Sequence, residues 1–96
     1  MNSQRIISIA KEVLKVESEA IFQLIKKLDS NFEKSINTIL NCKGRLIILG
    51  MGKSGIIAKK IAATMSSTGT PSHFVHPGEA FHGDLGMITK NDITIF

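Results

Sequence analysis

The stretch GRLIILGMGKSG, residues 44–55, decides the fold. Its first half, Leu46 to Leu49, is a continuous apolar run without alternation, which is typical of a strand covered on both faces in a parallel sheet. Its second half is a glycine-rich turn, and the apolar residues return to helical spacing at Ser54 or Gly55. A buried strand that passes through a tight turn into a helix predicts an α/β protein.

The region before this stretch is predicted to be helical. Apolar residues recur at helical spacing over residues 4–28, as one long amphipathic helix or two helices with a bend. Asp29 to Asn31 supply a break and an N-cap, and a second apolar stripe follows and ends at Lys43 and Gly44. Residues 1–43 are therefore expected to form an N-terminal helical hairpin.

The region after the stretch continues the α/β pattern. Gly69 and Pro71 are expected to end the helix, and a second strand is predicted at 73–75. An irregular glycine-rich segment, 76–86, precedes a third strand that begins at 93–96. Residues 44–96 are thus expected to form a doubly wound parallel sheet, truncated after its third strand, within a single partial domain that spans residues 1–96.

Composition limits the classes of function. The chain has 96 residues, of which 43% are hydrophobic, and a formal net charge of +4. Its twelve Lys and Arg residues are spread along the sequence, and Tyr and Trp are absent, so nucleic-acid binding is disfavoured. The sequence contains neither a membrane-spanning stretch nor a signal peptide, which favours a cytoplasmic protein without a membrane partner. The single cysteine, Cys42, cannot form an intramolecular disulfide.

Two common interpretations of the glycine-rich turn fit poorly. Residues 50–55 satisfy G-x-G-x-x-G between a strand and a helix, as in dinucleotide-binding folds. However, the second strand is followed by His76 rather than by the acidic residue that would bind the ribose. A triphosphate-binding loop is excluded more plainly, because Ile47 stands where that loop needs a glycine.

General chemistry then leaves two interpretations of the turn. Backbone N–H groups at a helix N-terminus, the Ser54 hydroxyl and the Lys53 ammonium together suit an anionic oxygen, such as that of a phosphorylated metabolite. Alternatively, the glycines only allow a tight turn, Ser54 caps the helix, and Lys53 points to solvent. The turn alone does not decide between these interpretations.

A second polar segment, HPGEAFHGDLGM at residues 76–87, follows the second strand. It carries His76, Glu79, His82 and Asp84 at the carboxyl edge of the sheet, where open α/β sheets bind their ligands. Loop histidines and carboxylates there suit proton transfer. A metal site is not predicted, because this spacing matches no recognised ligand pattern. Asp84 also fits an N-cap of a short helical turn.

Three segments, in this order and spacing, carry a family resemblance: GMGKSG at 50–55, STGTP at 67–71 and FVHPGEAFHGDLGMIT at 74–89. Together they resemble the sugar isomerase (SIS) domain of the D-arabinose 5-phosphate isomerases, over about residues 43–96. The resemblance implies a flavodoxin-like SIS fold and conversion of D-ribulose 5-phosphate to D-arabinose 5-phosphate for Kdo synthesis. It implies a sugar-phosphate substrate and no cofactor.

The resemblance also implies roles for individual residues. Lys53 and His82 match active-site residues of the family, so Lys53 is expected to steady charge on a substrate oxygen and His82 to move protons. The expected substrate-binding residues are Gly52, Ser54, Gly55, His76 and Glu79.

The resemblance finally implies the organisation of the protein. The family's serine-rich phosphate-binding loop, catalytic glutamates and a further histidine would all follow Phe96, so the chain is expected to be an N-terminal fragment. A homo-oligomer, a tetramer by family resemblance, is also implied. The alternative is a non-catalytic sugar-phosphate sensor, because SIS domains also occur in regulators joined to helix-turn-helix domains. The predicted hairpin lacks a recognition-helix pattern, which disfavours a DNA reader.

Overall fold

The computed structural model describes residues 2–96, apart from the side chains of residues 84 and 85. The chain forms two units, Met1–Ser35 and Ile36–Phe96. The first unit is helical, and the second contains the parallel sheet. In the part of the chain so described, no helix combines the length and the apolar character needed to cross a bilayer.

The first unit is built from helices that begin at side-chain caps. Helix α1, Ser3–Gln23, starts where the Asn2 side chain accepts a hydrogen bond from the Arg5 amide at 2.8 Å, and it continues into a 3₁₀ turn at Leu24–Lys27. None of the residues of α1 is buried, and large apolar side chains remain exposed along it. The pairing of this helix with the next one as a hairpin stays a prediction.

Helix α2, Ser30–Leu40, begins at the predicted break and spans the boundary between the two units. The Asp29 carboxylate accepts hydrogen bonds from the amides of Asn31 and Phe32, at 2.9 and 3.3 Å, which confirms the predicted N-cap region. The predicted end at Lys43 and Gly44 was wrong by three residues. The helix stops earlier because residues 42–44 turn instead to meet the chain near Asn91.

The sheet has three parallel strands in the order β2-β1-β3: β1 is Leu46–Leu49, β2 is Ser72–Val75 and β3 is Ile93–Ile95. Leu46 pairs with Ser72 on one side and with Ile93 on the other. The central position of β1 and the parallel pairing confirm the predicted class of fold. The third strand ends one residue before the predicted Phe96.

The two faces of β1 pack against different helices. Leu46 and Ile48 contact Ala58 and Ala62 of helix α3, Gly52–Ser67, while Ile47 packs on the opposite face with a separate cluster that contains Val75 and Ala80. Leu46 and Ile47 are 1% and 0% exposed. Burial of each such side chain contributes about 1.5–3 kcal/mol, so this four-residue strand anchors the unit.

The segment after β2 is more regular than predicted. Residues 76–86 were expected to be irregular, but the structure has a short helix α4, Pro77–Ala80, and a 3₁₀ turn at Asp84–Met87. Pro77 occupies the first turn of α4, where its fixed φ favours helix and its missing N–H costs nothing. The predicted capping role of Asp84 concerns a side chain outside the described ones.

The amino edge of the sheet is closed by Asp92. Its carboxylate is 2% exposed and accepts hydrogen bonds from the amides of Arg45 and Thr89, each at 2.7 Å. The bond from the Thr89 amide, then that from the Arg45 amide, holds the pKa of the Asp92 carboxyl below its ordinary value, and the Arg45 guanidinium at 3.6 Å adds to the effect. The carboxylate thereby joins the starts of β1 and β3.

Candidate functional site

The candidate site lies at the carboxyl edge of β1, where the chain turns into α3. Met51 is extended, with φ −115° and ψ 150°, and Gly52 follows with φ +58°. The helix was predicted to start at Ser54 or Gly55, but it starts at Gly52 because this left-handed residue redirects the chain at once. A side chain at that φ is strained, so the turn needs glycine here.

The outer two glycines of the motif allow the strand end and the helix to touch. A Cβ added to Gly50 would lie 2.8 Å from the Ser54 carbonyl oxygen, and one added to Gly55 would lie 2.7 Å from the Gly50 carbonyl oxygen. Gly55 is buried, and its N–H donates to the Met51 carbonyl at 3.2 Å. The Gly55 amide, predicted to bind substrate, is therefore already engaged in this structure.

Three amides at the start of α3 have no protein acceptor. Those of Gly52, Lys53 and Ser54 donate to none of the described residues. The N-cap is Met51, and no side chain bonds to the cap, so the interpretation in which Ser54 caps this helix was wrong. Free N–H groups at the positive end of a sixteen-residue helix attract an anionic oxygen.

An open cleft of about 420 Å³ begins beside these amides. Lys53 and Ser54 both line it, and the Lys53 side chain is exposed and ion-paired with none of the described residues. The other lining residues are mostly apolar: Ile48, Leu49, Ile57, Ala58, Ile61, Ile95 and Phe96. An ammonium and a hydroxyl beside an apolar wall suit a small molecule with an anionic group and a carbon skeleton.

The second polar segment follows β2 at the same edge of the sheet. Leu49 pairs with Val75, so His76 leaves β2 at the level where the glycine turn leaves β1. The Nδ1 atom of His76 accepts a hydrogen bond from the Gly78 amide at 2.9 Å and caps α4. Glu79 lies within α4 and is exposed.

His82 lies in the turn after α4. Its backbone N–H donates to the Glu79 carbonyl at 2.9 Å, and its imidazole is exposed and bonded to none of the described residues. An imidazole that has no protein partner can exchange a proton with a ligand.

The predicted residues therefore form two groups at one edge. Lys53 and Ser54 share the cleft, whereas His76, Glu79 and His82 belong to the segment after β2 and do not line it. Among the described residues, no group of three His, Cys, Asp or Glu is arranged to hold a metal ion.

Ile95 and Phe96 are cleft residues that the sequence motifs do not reveal. Both line the cleft beside Lys53, because β3 pairs directly with β1. The order of strands, rather than any local motif, brings them there, so only a prediction of strand neighbours could have found them.

Comparison with known proteins gives a family match and close relatives. The family model described as the SIS domain matches residues 39–96. A Haemophilus influenzae protein named "Probable arabinose 5-phosphate isomerase" is 55% identical over 89 residues, which are 93% of this chain and 26% of that protein. "Arabinose 5-phosphate isomerase KpsF" of Escherichia coli O6:H1 is 53% identical over 91 residues, 94% of this chain and 28% of that protein.

A solved structure matches the fold. An Escherichia coli CFT073 protein in complex with arabinose 5-phosphate superposes with a TM-score of 0.89 at 46% identity, covering 98% of this chain and 50% of that chain. The chain thus spans about a quarter of the length of the curated relatives and half of the solved chain.

Proposed function

The chain belongs to the SIS domain family, and from this premise we propose that it forms part of an aldose–ketose isomerase that interconverts D-ribulose 5-phosphate and D-arabinose 5-phosphate. The observation that carries the proposal is the group of unpartnered amides beside Lys53 and Ser54 at the carboxyl edge of β1. The names of relatives more than 50% identical supply the substrate. The arabinose 5-phosphate bound in the similar solved structure agrees with it.

The proposed reaction passes through an enediolate, in which a proton moves between neighbouring carbons while negative charge develops on oxygen. Lys53 stabilises that charge, because its ammonium is exposed beside the cleft and ion-paired with none of the described residues. His82 transfers protons at substrate hydroxyls or at the ring oxygen. Its exposed imidazole leaves both ring nitrogens available for this role.

Substrate binding is assigned to the groups around the turn and the second segment. The amides of Gly52, Lys53 and Ser54 and the Ser54 hydroxyl position the sugar phosphate. His76 and Glu79 complete the polar edge. Gly55 contributes through close packing of the turn, because its amide is engaged within the helix.

The wider organisation is part of the same proposal. Residues 1–96 form one partial SIS domain, with a helical hairpin at 1–43 and the first part of the sheet at 44–96. The protein assembles as a homo-oligomer, a tetramer by family resemblance, and acts in the cytoplasm. Its product supplies Kdo synthesis. The exposed apolar residues of α1, which include Leu14 and Ile21, support a subunit contact.

The test is an isomerase assay on the longest natural polypeptide that contains this chain (the parent polypeptide). We expect turnover of D-arabinose 5-phosphate to D-ribulose 5-phosphate, and a loss of about 10²–10⁴-fold in kcat for His82→Asn. His73→Asn is the matched control, because His73 is also exposed but lies within β2. Binding without turnover would contradict the isomerase and indicate a sugar-phosphate sensor instead.

A further inference from the structure

Among the polar side chains of the candidate site, only that of His76 is held by a hydrogen bond within the described residues. Those of Lys53, Ser54, Glu79 and His82 bond to none of these residues, whereas the His76 Nδ1 atom accepts the Gly78 N–H at 2.9 Å. The Nε2 atom, at the far side of the ring, has no partner in the described part of the chain. One side of this imidazole is therefore committed and the other is free.

The backbone around His76 is fixed on both sides. Val75, immediately before it, is 2% exposed, and Ala80, one turn later, is 6% exposed. Gly78 stands directly against the ring, because a Cβ at that residue would lie 3.0 Å from Nδ1 and 3.1 Å from Cε1 of His76. The imidazole thus has a set position at the edge where the glycine turn also ends.

The hydrogen bond from Gly78 determines what the ring can do. A nitrogen that accepts an N–H bond carries no hydrogen, so the neutral imidazole bears its hydrogen on Nε2. The free side of the ring is consequently a hydrogen-bond donor. Taking up a proton at Nδ1 would break the bond to Gly78, which makes this histidine a poor proton acceptor.

From this geometry we infer that His76 is a fixed Nε2–H donor to an oxygen of the sugar phosphate, and that Gly78 is the positioning residue that sets its tautomer. The inference rests on the proposed function and divides the two loop histidines by role. His76 binds the substrate with a constant hydrogen bond, and His82, whose ring is unpartnered among the described residues, moves protons.

Three variants separate the cap from the donor. His76→Asn places an amide oxygen where Nδ1 lies and keeps the cap, but it has no donor that reaches the Nε2 position. His76→Gln reaches the Nε2 position with an amide N–H but loses the cap. Gly78→Ala leaves His76 in place and displaces the ring, since the added Cβ meets it at 3.0 Å and the φ of residue 78 is not positive.

The experiment measures KM and kcat for D-arabinose 5-phosphate in the parent polypeptide. For His76→Asn we expect KM to rise about tenfold with kcat nearly unchanged, because a constant hydrogen bond to a charged ligand is lost. The melting temperature should stay close to that of the wild type. His76→Gln should recover part of the KM while melting at a lower temperature.

The double variant gives the sharpest test of Gly78. Gly78→Ala should raise KM several-fold in the wild-type background and should have no further effect when residue 76 is asparagine. An equal effect in both backgrounds would overturn the positioning role. An unchanged KM in His76→Asn, with an active wild type, would overturn the donor role alone. A wild type that neither binds nor converts the sugar phosphate would overturn the proposed function, and this inference with it.

Discussion

The two edges of the parallel sheet treat their polar groups in opposite ways. At the amino edge, the Asp92 carboxylate is almost fully buried and bonded to two amides and a guanidinium. At the carboxyl edge, the amides at the start of α3 and the side chains of Lys53 and Ser54 have no partner among the described residues. Both edges lie at the ends of the same central strand, β1.

This difference indicates which edge holds the fold together and which is left for a ligand. A buried polar group destabilises the protein unless it is hydrogen-bonded, so the amino edge gains stability from complete pairing. An exposed amide or ammonium costs little while water solvates it, and it can exchange that water for a ligand oxygen. Substitutions at the two edges should therefore affect different measurements.

The largest effect is expected at the carboxyl edge. Lys53→Ala should lower kcat of the parent polypeptide by about 10²–10³-fold, as the loss of a group that stabilises developing charge commonly does. Its free energy of unfolding should change by less than about 0.5 kcal/mol, because the side chain is exposed. Steady-state kinetics and chemical denaturation measure the two quantities. Lys60→Ala, on the same helix, is the control and should change neither.

The next effect is expected at the amino edge and concerns stability. A Cβ on Gly44 would lie 2.6 Å from the Asn91 carbonyl oxygen and would also collide with the Asp92 carboxylate. Gly44→Ala should lower the free energy of unfolding by about 1–3 kcal/mol, since backbone has to move. Activity per folded molecule should persist.

Gly86→Ala is the matched control for Gly44→Ala. No described atom lies within 4 Å of the Cβ it would add, so the free energy of unfolding should change by less than about 0.5 kcal/mol. Equal destabilisation by the two substitutions would show that the amino edge is no more tightly packed than an exposed turn.

A smaller effect is expected at Gly52, which has φ +58° and open space around its Cα. Gly52→Ala should lower the free energy of unfolding by about 1 kcal/mol through backbone strain alone. Gly52→Asn should cost less, because asparagine tolerates the left-handed region better than alanine. If alanine and asparagine destabilise equally in a denaturation series, conformational strain is not the reason for glycine here.

The smallest effect is a pH dependence that belongs to the amino edge. Because folding lowers the pKa of Asp92, its contribution to stability is present above the unfolded carboxyl value of about 3.9 and is lost as pH falls through the lower folded value. Asp92→Asn should be less stable at neutral pH, and the gap from the wild type should narrow below about pH 4. Urea denaturation from neutral to acidic pH measures this gap. A gap that stays constant would contradict the role of the ionised carboxylate.

Much of the fold could be predicted from sequence because its signals are local. The continuous apolar run of β1 and the cap at Asp29 predict their elements without reference to distant residues. The end of α2 could not be predicted, since residues 42–44 are drawn to Asn91, more than forty positions away. The closure by Asp92 is missed for the same reason.

The candidate site divides in the same way. The glycine turn predicts a ligand site through its own spacing, and Lys53 and Ser54 do line one cleft. The commitment of the Gly55 amide and the cap by His76 depend on backbone geometry that spacing does not reveal. Ile95 and Phe96 enter the cleft only because β3 pairs with β1.

The proposed function depends above all on the unpartnered carboxyl edge being the ligand edge. A crystal structure of the parent polypeptide with bound D-arabinose 5-phosphate addresses this point without intermediate assumptions. We predict sugar-phosphate oxygens within hydrogen-bond distance of the Lys53 Nζ atom and of the amides of Gly52 to Ser54, with the Asp92 cluster unchanged. A ligand bound elsewhere, with Lys53 directed into solvent, would contradict the assignment of this edge.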